Sequence, residues 1–511
     1  VLRYLIRRLD QPRIIGLTAT LPSPEDDFAY ENYTALLGDV DFEVPTPAVV
    51  KEGNLAPYRE LAWFTEPTPQ ERAFLREQDQ LLRAVLEEVL TAPGFRSWLK
   101  GLLFPTPEEG TGAPERERAG WPELADEDAP LVIAGLRWLR DLGELPLEYP
   151  LPPEARRRPT REDRLILLEH YALRVLLPSP DPNDRHRFLE LRRRLRPLGY
   201  TLTPKGLRPG RSPMDLILAF SDSKIEAARE ILRAEKRSLG ERLRAVLVVD
   251  FEQSTSGLRR LRQEPGLSDA DLGSGRRVFR RLIQDPELID LHPIFVTGRS
   301  LWIPEGFQPI FQAFWEEFRQ RHGMQIELTL HRRPGYYEVR GKGSGWGPRV
   351  YVPLVTQMME QGRIRLLIGT RKIFGEGWDA LSLNTLIDLT GVTTSTAVQQ
   401  LRGRSLRLDP EWPHKVAHNW DVVCVAPDFE WGDLDLRRFL RRHDHLWGVA
   451  IPASPARYAM RLAPTLLTRG LPPNSAEDLR GQIVRGVFHV EPLLGLLLAL
   501  EDESWKHIPY A

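Results

Sequence analysis

Three short segments carry the side chains that could do chemistry. The first is GLTATLP, Gly16 to Pro22, in which Thr18 and Thr20 follow the apolar run RIIGL. The prolines after that run exclude a helix or a central strand, so the text predicts a strand followed by a loop. Hydroxyls at the C-terminal end of a strand lie where α/β sheets bind their ligands. Taken alone, TAT is also an ordinary turn.

The second segment is IRLLIGTRKIFGEGWD, Ile364 to Asp379. A buried strand is predicted to end at Thr370, whose backbone and hydroxyl can contact a phosphate. Glycines such as Gly377 allow a ligand to approach the backbone closely. Asp379 can accept a hydrogen bond from a ribose hydroxyl or from neighbouring amides. The alternative is a glycine-rich turn with a purely structural role.

The third segment is QQLRGRSLR, Gln399 to Arg407. It follows Thr394 and Ser395, two residues of the types that cap helices, and should begin as a helix. Gln400, Arg404 and Arg407 have i, i+4, i+7 spacing and share one face if the helix continues past the glycine between them. Two guanidinium groups and an amide on one face can bind a terminal phosphate. The alternative is a surface helix whose arginines pair with carboxylates.

These segments occur in the order, and with the spacing, in which superfamily-two helicases carry their motifs three, five and six. On these residues the chain resembles the bacterial DEAD/DEAH-box family of that superfamily, over residues 14–65 and 211–430. The resemblance implies an ATP-hydrolysing helicase or translocase, in which two RecA-like domains bind ATP and Mg²⁺ between them. It also implies a nucleic-acid partner held across both domains, for which we favour DNA over RNA.

The resemblance implies a role for each position. Thr18 and Thr20 would couple the ATP site to nucleic-acid binding, and Thr370 would lie beside the nucleic-acid backbone. Gly377 and Asp379 would bind the cofactor near its sugar. The third segment would add three nucleotide contacts, of which the two arginines are the catalytic pair that faces the triphosphate: Gln400, Arg404 and Arg407.

The chain departs from the family pattern in two ways. The interval from Thr370 to Gly377 is one residue longer than is usual, and the sequence contains neither a GxxxxGK[ST] phosphate loop nor a DEAD-like acidic strand end. In the family both of the missing motifs precede TAT. With Val1 as the first residue, we therefore expect a C-terminal part that does not hydrolyse ATP alone. The rival hypothesis is a nucleic-acid-binding or partner-binding module without chemistry.

Apolar periodicity indicates the elements that position these segments. From residue 211 onward, strands alternate with helices, which predicts βαβ units. The predicted fold class is therefore α/β: a RecA-like parallel sheet with flanking helices, plus a mainly helical insertion. The predicted divisions are a remnant of the first RecA-like domain at 1–65, the insertion at 66–210, the second RecA-like domain at 211–430 and a helical tail at 431–511.

Charge is unevenly distributed in the insertion. Residues 105–128 contain eight acidic side chains and two arginines, which predicts an exposed acidic loop. Residues 181–211 contain nine basic and three acidic side chains, a net charge of +6. We take Arg192, Arg193 and Arg194 as candidates for nucleic-acid contact, although a solvated helix face has the same pattern. The whole chain has a net charge of −1, which excludes a uniformly basic nucleic-acid binder.

Composition sets further bounds. One cysteine, Cys424, excludes an internal disulfide and a multi-cysteine zinc site, so we expect no metal and a reducing, cytoplasmic compartment. His443 and His445 have no further ligands nearby in sequence and are predicted to be surface polar residues. The apolar stretch PLLGLLLAL is far shorter than the ~20 residues of a membrane span. We therefore expect no membrane partner.

Overall fold

The computed structural model describes short pieces before residue 46, then residues 46–105, 121–145, 151–210, 212–253, 274–342, 345–375, 378–391 and 395–443, with three short strands beyond. The helices are α1 (Asp27–Leu37), α2 (Thr46–Lys51), α3 (Pro69–Leu90), α4 (Pro93–Leu103), α5 (Trp121–Asp141), α6 (Arg161–Tyr171), α7 (Pro182–Leu195), α8 (Pro213–Phe220), α9 (Asp222–Leu239), α10 (Gly275–Ile283), α11 (Gln308–Arg321), α12 (Pro348–Glu360), α13 (Arg371–Phe374), α14 (Ser395–Ser405) and α15 (Leu434–Arg442). The strands are β1 (Tyr58–Thr65), β2 (Tyr200–Thr203), β3 (Gly206–Pro209), β4 (Ala245–Val249), β5 (Ile294–Val296), β6 (Leu301–Pro304), β7 (Glu327–Arg333), β8 (Tyr336–Lys342), β9 (Leu366–Thr370), β10 (Thr385–Asp388), β11 (Ala417–Cys424), β12 (Trp447–Val449), β13 (Ala459–Arg461) and β14 (Val487–His489).

The chain divides into two compact units, a sheet unit made of residues 1–68 and 217–511 and an insertion unit made of residues 69–216. The sheet unit contains a ten-stranded sheet in the order β14-β1-β11-β10-β4-β9-β5-β6-β8-β7. Its six central strands, from β1 to β5 in that order, are parallel. The predicted α/β class, a parallel sheet with flanking helices and a mainly helical insertion, is confirmed.

The parallel strands are buried on both faces, which agrees with their continuous apolar sequences. Every residue of β4, β10 and β11 is buried. Helix α9 shows how the covering layer forms: Ser221 caps its first turn by accepting a hydrogen bond from the Ser223 amide, and Ile225 and Ile231 are buried in the core shared with the sheet. The helix ends at Gly240, whose φ of 55° favours glycine.

Strand β1 changes the expected division of the chain. Tyr58–Thr65 was assigned to the remnant of the first domain, but it pairs in parallel with β11 along its full length. This strand therefore belongs to the sheet of the later domain. The remaining boundaries stay predictions.

The described parts of the predicted helical tail 431–511 are helical only at α15. After α15, the pieces that the structure describes are the strands β12, β13 and β14, and β14 pairs antiparallel with β1. β1 is the outermost of the parallel strands, so the backbone groups on its outer edge are available to pair with the short strand β14. The apolar text PLLGLLLAL lies outside the described residues.

The insertion unit is mainly helical, with the small β2–β3 hairpin at its end. All five helices from α3 through α7 contribute to its hydrophobic core, with buried side chains such as Leu86, Phe95, Leu136 and Leu168. The predicted acidic loop 105–128 is wrong from Trp121 onward, where α5 begins. The helix is kinked at Asp128, two residues before Pro130, and the kink accommodates that proline. No helix in the described part of the chain is long and apolar enough to cross a membrane.

Candidate functional site

Polar side chains collect at the C-terminal edge of the parallel strands, where α/β sheets bind their ligands. β9 ends at the half-buried Thr370, its neighbour β4 is followed by Asp250, and β10 ends at Asp388. The Asp250 carboxylate accepts a hydrogen bond of 2.7 Å from the Gly391 amide, and burial raises its pKa. Thr370 and these two acids therefore lie at the ends of three adjacent strands.

The loop after β9 contacts the end of α14. Arg404 Nη2 donates to the Gly375 carbonyl at 3.1 Å, and the Arg407 guanidinium forms an ion pair with Asp379. The side chains of Arg407 and Asp379 are 36% and 50% exposed, so the pair lies at the surface. The structure thus brings two predicted site residues, Arg407 and Asp379, into direct contact across 28 positions of sequence, and places Arg404 against Gly375 of the same loop.

The expectation of one helical face is only partly correct. α14 continues past Gly403, so Gln400 and Arg404 are both helical, but it ends at Ser405 and Arg407 lies beyond it. The Leu406 carbonyl accepts a hydrogen bond of 2.8 Å from the Ala56 amide. That bond draws the chain toward the start of β1 and places Arg407 on a turn.

Other predicted residues lie elsewhere. Thr18 is exposed in the short piece at 15–18, while Thr20 and Gly377 lie outside the described residues. Arg192, Arg193 and Arg194 are on α7 in the insertion unit. The first two are exposed, and Arg194 Nη1 forms a salt bridge of 2.8 Å with the Glu88 carboxylate.

Lys415, a residue that no sequence motif singles out, positions the segment that follows Asp379. Its buried ammonium group donates to the Leu381 and Leu383 carbonyls at 2.6 and 3.0 Å. Burial lowers the pKa of Lys415 to about 8. The two backbone bonds fix the return of the chain from the Asp379 loop into β10.

A second group of charges, missed by sequence reasoning, lies inside the sheet unit. Arg402 of α14 is buried between Glu60 of β1, at 2.7 Å from Nη1, and Asp421 of β11. Asp388 of β10 lies directly beside Asp421 in the sheet register, on the same face. We name this group the buried charge cluster: Glu60, Asp388, Arg402, Asp421, Arg442 and His443.

Asp421 is the centre of the buried charge cluster. Arg442 Nη2 and His443 Nε2, both at the end of α15, approach its carboxylate at 2.8 and 3.2 Å. Burial alone would raise the pKa of Asp421, but the guanidinium groups of Arg442 and Arg402 hold it far below the usual range. The cluster therefore fixes α14 and α15 onto the sheet through one ionised carboxylate.

Donor atoms of Glu60, Asp421 and His443 lie within 4.8 Å of one another, as in a metal site. However, both carboxylates are already paired with Arg402, and Asp421 is also paired with Arg442. Two guanidinium groups close to the donors oppose the entry of another cation. We therefore interpret the trio as part of an ion-pair network.

His443 corrects a prediction, because it is buried rather than at the surface. Its Nδ1 hydrogen-bonds to the Phe439 carbonyl at 2.6 Å, and burial together with Arg402 lowers its pKa. His445 lies outside the described residues. Charged residues inside apolar strand text, such as the acids in YRELAWF and WDVVCV, were the available signal, since a buried charge requires a partner.

We expect Glu60 to make stability depend on pH. Burial raises its pKa from 4.5 to about 7, so between these values the folded state binds this proton more strongly than the unfolded chain. The free energy of unfolding contributed by Glu60 is therefore lost as pH rises through this window. The glutamine of Glu60→Gln does not titrate, so the variant should not lose this contribution. Between pH 4.5 and pH 7 the free energy of unfolding of the variant should therefore rise relative to that of the wild type. Urea unfolding at both pH values measures it, and parallel pH profiles would contradict the assignment.

Comparisons with known proteins add little beyond this geometry. No family model matches the chain, and no curated protein matches it. Among solved structures, the C-terminal part of the Fun30 ATPase domain is similar at 12% identity and a TM-score of 0.29, covering 77% of this chain and 91% of that one. The Hef helicase domain of Pyrococcus furiosus is similar at 12% identity and a TM-score of 0.27, covering 83% of this chain and 67% of that one. At these values the similarity carries no argument about activity.

Proposed function

We propose that the sheet unit is the second RecA-like domain of an ATP-dependent DNA helicase or translocase. The observation that carries the proposal is the contact of Arg404 and Arg407 with the Gly375–Asp379 loop. In the resemblance drawn from the sequence, these are the residues that meet at the nucleotide. Their convergence supports a shared site.

The side chains fit a triphosphate in their chemistry. Arg404 Nε is buried and has no hydrogen-bond partner in the part of the chain that the structure describes, so it retains a donor for a ligand oxygen. Arg407 is held by a surface ion pair, which contributes only about 0–1 kcal/mol and is easily exchanged for a phosphate. Arginine binds phosphate through two parallel hydrogen bonds.

In this proposal Gly377 and Asp379 hold ATP near its sugar, Gln400 adds a further nucleotide contact, and the two arginines bind its phosphates. Thr370 contacts the nucleic-acid backbone from the end of β9, and Thr18 and Thr20 couple the two sites. We assign no residue of this chain to Mg²⁺, since the phosphate loop that accompanies it in such enzymes is not in the sequence.

The second candidate is a binding module that performs no hydrolysis. It is favoured for this chain alone by the same missing phosphate loop. A phosphate-release assay with and without single-stranded DNA distinguishes the two. We expect no ATP turnover by this chain, and measurable turnover would contradict the assignment of the missing half-site to another part of the enzyme.

Nucleotide binding tests the site itself. We expect a fluorescent ATP analogue to bind weakly, and Arg404→Ala and Arg407→Ala each to weaken it about tenfold, the effect of losing one charge-assisted phosphate contact. Arg437→Ala is the matched control, because Arg437 is 67% exposed on α15 and pairs only with Asp433 among the described ion pairs. Equal effects of all three substitutions would refute the site.

A further inference from the structure

The end of the insertion unit has the element order helix, short loop, helix, hairpin. α6 continues as a π-helical turn to Leu176, residues 177–181 form the loop, and α7 leads into β2 and β3. A helix that follows another helix across a short loop is the arrangement in which helix-turn-helix proteins present their second helix to DNA.

This region is packed as one body. The inner face of α7 buries Phe188, Leu191 and Leu195 in the same core as α6. The hairpin lies directly against α6, because a Cβ atom on Gly206 would approach Glu169 Oε1 to 2.7 Å. The outer face of α7 and the hairpin tip are therefore presented on a rigid support.

Arginines line both sides of the outer face of α7. At about 100° per residue, Arg185, Arg192 and Arg196 fall within about 40° of one another, while Arg187 and Arg194 lie roughly 180° away from them. Arg193 lies midway between the two rows. Two rows of cations along opposite flanks of a helix match the two phosphate backbones that border a groove of duplex DNA.

One of these rows is not neutralised. Arg185, Arg192 and Arg196 of the first row, and Arg193 between the rows, are exposed and form no ion pair within the described residues. In the other row, Arg187 pairs with Asp184 and Arg194 with Glu88. Like charges at i, i+4, such as those of Arg192 and Arg196, destabilise a helix. A ligand with regularly spaced negative charge would remove this repulsion.

The hairpin adds cations beside the helix. Lys205 lies in its exposed turn, and Arg208 is exposed on β3 opposite Thr201. The inner face of the hairpin buries Leu202 in the common core, so its basic face points away from that core. Helix and hairpin therefore both carry exposed cations on their outer sides.

We propose that α7 and the β2–β3 hairpin form a double-stranded DNA-binding site, with α7 in the major groove and the hairpin on the adjacent backbone. This deepens the proposed function and rests on it for nucleic acid as the partner. The B-form major groove is about 12 Å wide and admits an α-helix. The major groove of A-form RNA is too narrow for one.

Single strands fit this surface less well. Their binding sites use aromatic side chains as stacking platforms. Here Phe188 and Tyr200, the large aromatic residues of α7 and the hairpin, are buried. The surface therefore offers charge without a stacking platform, which favours the duplex.

Fluorescence anisotropy of a labelled 20-base-pair DNA duplex, titrated with the whole chain without nucleotide, tests this site. We expect the triple variant Arg192→Ala, Arg193→Ala, Arg196→Ala to weaken binding on the order of 100-fold at 0.1 M salt, and to lower the slope of log affinity against log salt by about 2 to 3. Lys205→Ala should weaken binding about fivefold to tenfold, the effect of one lost phosphate contact.

The matched control is Arg156→Ala, Arg157→Ala, Arg158→Ala, which removes the same charge from three exposed arginines of the same unit. We expect it to change duplex affinity less than fivefold, and both triple variants to keep the wild-type unfolding midpoint. Equal losses in the two triple variants, or equal affinity for single-stranded DNA or duplex RNA, would overturn the proposal. Because Arg404 and Arg407 are untouched, unchanged binding of the ATP analogue separates a failure of this site from a failure of the proposed function.

Discussion

Arg402→Ala is expected to lower the free energy of unfolding of the sheet unit by roughly 3–5 kcal/mol. The substitution leaves Asp421 buried with one guanidinium fewer and removes the cation that Glu60 faces at 2.7 Å. An uncompensated buried charge is the costly part of this loss. Chemical unfolding followed by tryptophan fluorescence measures it, since Trp420 lies on β11 beside Asp421.

The control for Arg402 is Arg437→Ala. Arg437 and Asp433 form an ion pair on the surface of α15, with side chains 67% and 46% exposed. Such a pair contributes about 0–1 kcal/mol, so the same deletion of a guanidinium should have little effect there. If both variants unfold at the same denaturant concentration, the buried charge cluster does not hold α14 and α15 on the sheet.

The sequence predicted well what depends on local pattern. Continuous apolar runs such as AVLVV at Ala245–Val249 predicted the parallel strands. Apolar residues three to four positions apart predicted the helices α9 and α11. The prediction of a loop between residues 121 and 128 failed because it rested on the acidic composition and not on the apolar periodicity of α5. Local composition is a weaker guide than periodicity when a core is available nearby.

Long-range pairing could not be predicted in the same way. Glu60 meets Arg402 and Asp421 only because β1 lies beside β11, more than 350 residues away in the chain. The order in which strands pair depends on how the whole sheet assembles, and a short stretch of sequence does not determine it. The charged residues inside apolar strands indicated that partners must exist, but not which residues they are.

Arg407 illustrates the same limit at the site. Helical spacing predicts that it shares one face with Gln400 and Arg404, whereas the helix ends at Ser405 and the chain turns where the Ala56 amide donates to the Leu406 carbonyl. Even so, its guanidinium reaches the Asp379 carboxylate. The long arginine side chain reaches Asp379 although its backbone lies beyond the end of α14.

In an enzyme that joins this chain to a phosphate-loop domain, Arg407→Ala is expected to lower ATP turnover by about 10³-fold or more, while nucleotide affinity falls about tenfold. An arginine at the terminal phosphate neutralises charge that develops mainly in the transition state, so its loss affects turnover more than binding. Single-turnover hydrolysis beside equilibrium binding of an ATP analogue measures both quantities.

Two further variants decide whether the guanidinium of Arg407 or only its structural contact matters. Asp379→Asn removes the charge from the ion-pair partner but leaves Arg407 intact, so it should lower turnover far less than Arg407→Ala if the arginine acts on the phosphate. Arg407→Lys keeps the charge but loses the planar fork, and should recover only a small part of the rate. At saturating ATP, so that the nucleotide contact of Asp379 does not limit the rate, turnover that survives Arg407→Ala, or that falls equally with Asp379→Asn, would show that the ion pair merely fixes the loop and that the catalytic assignment is wrong.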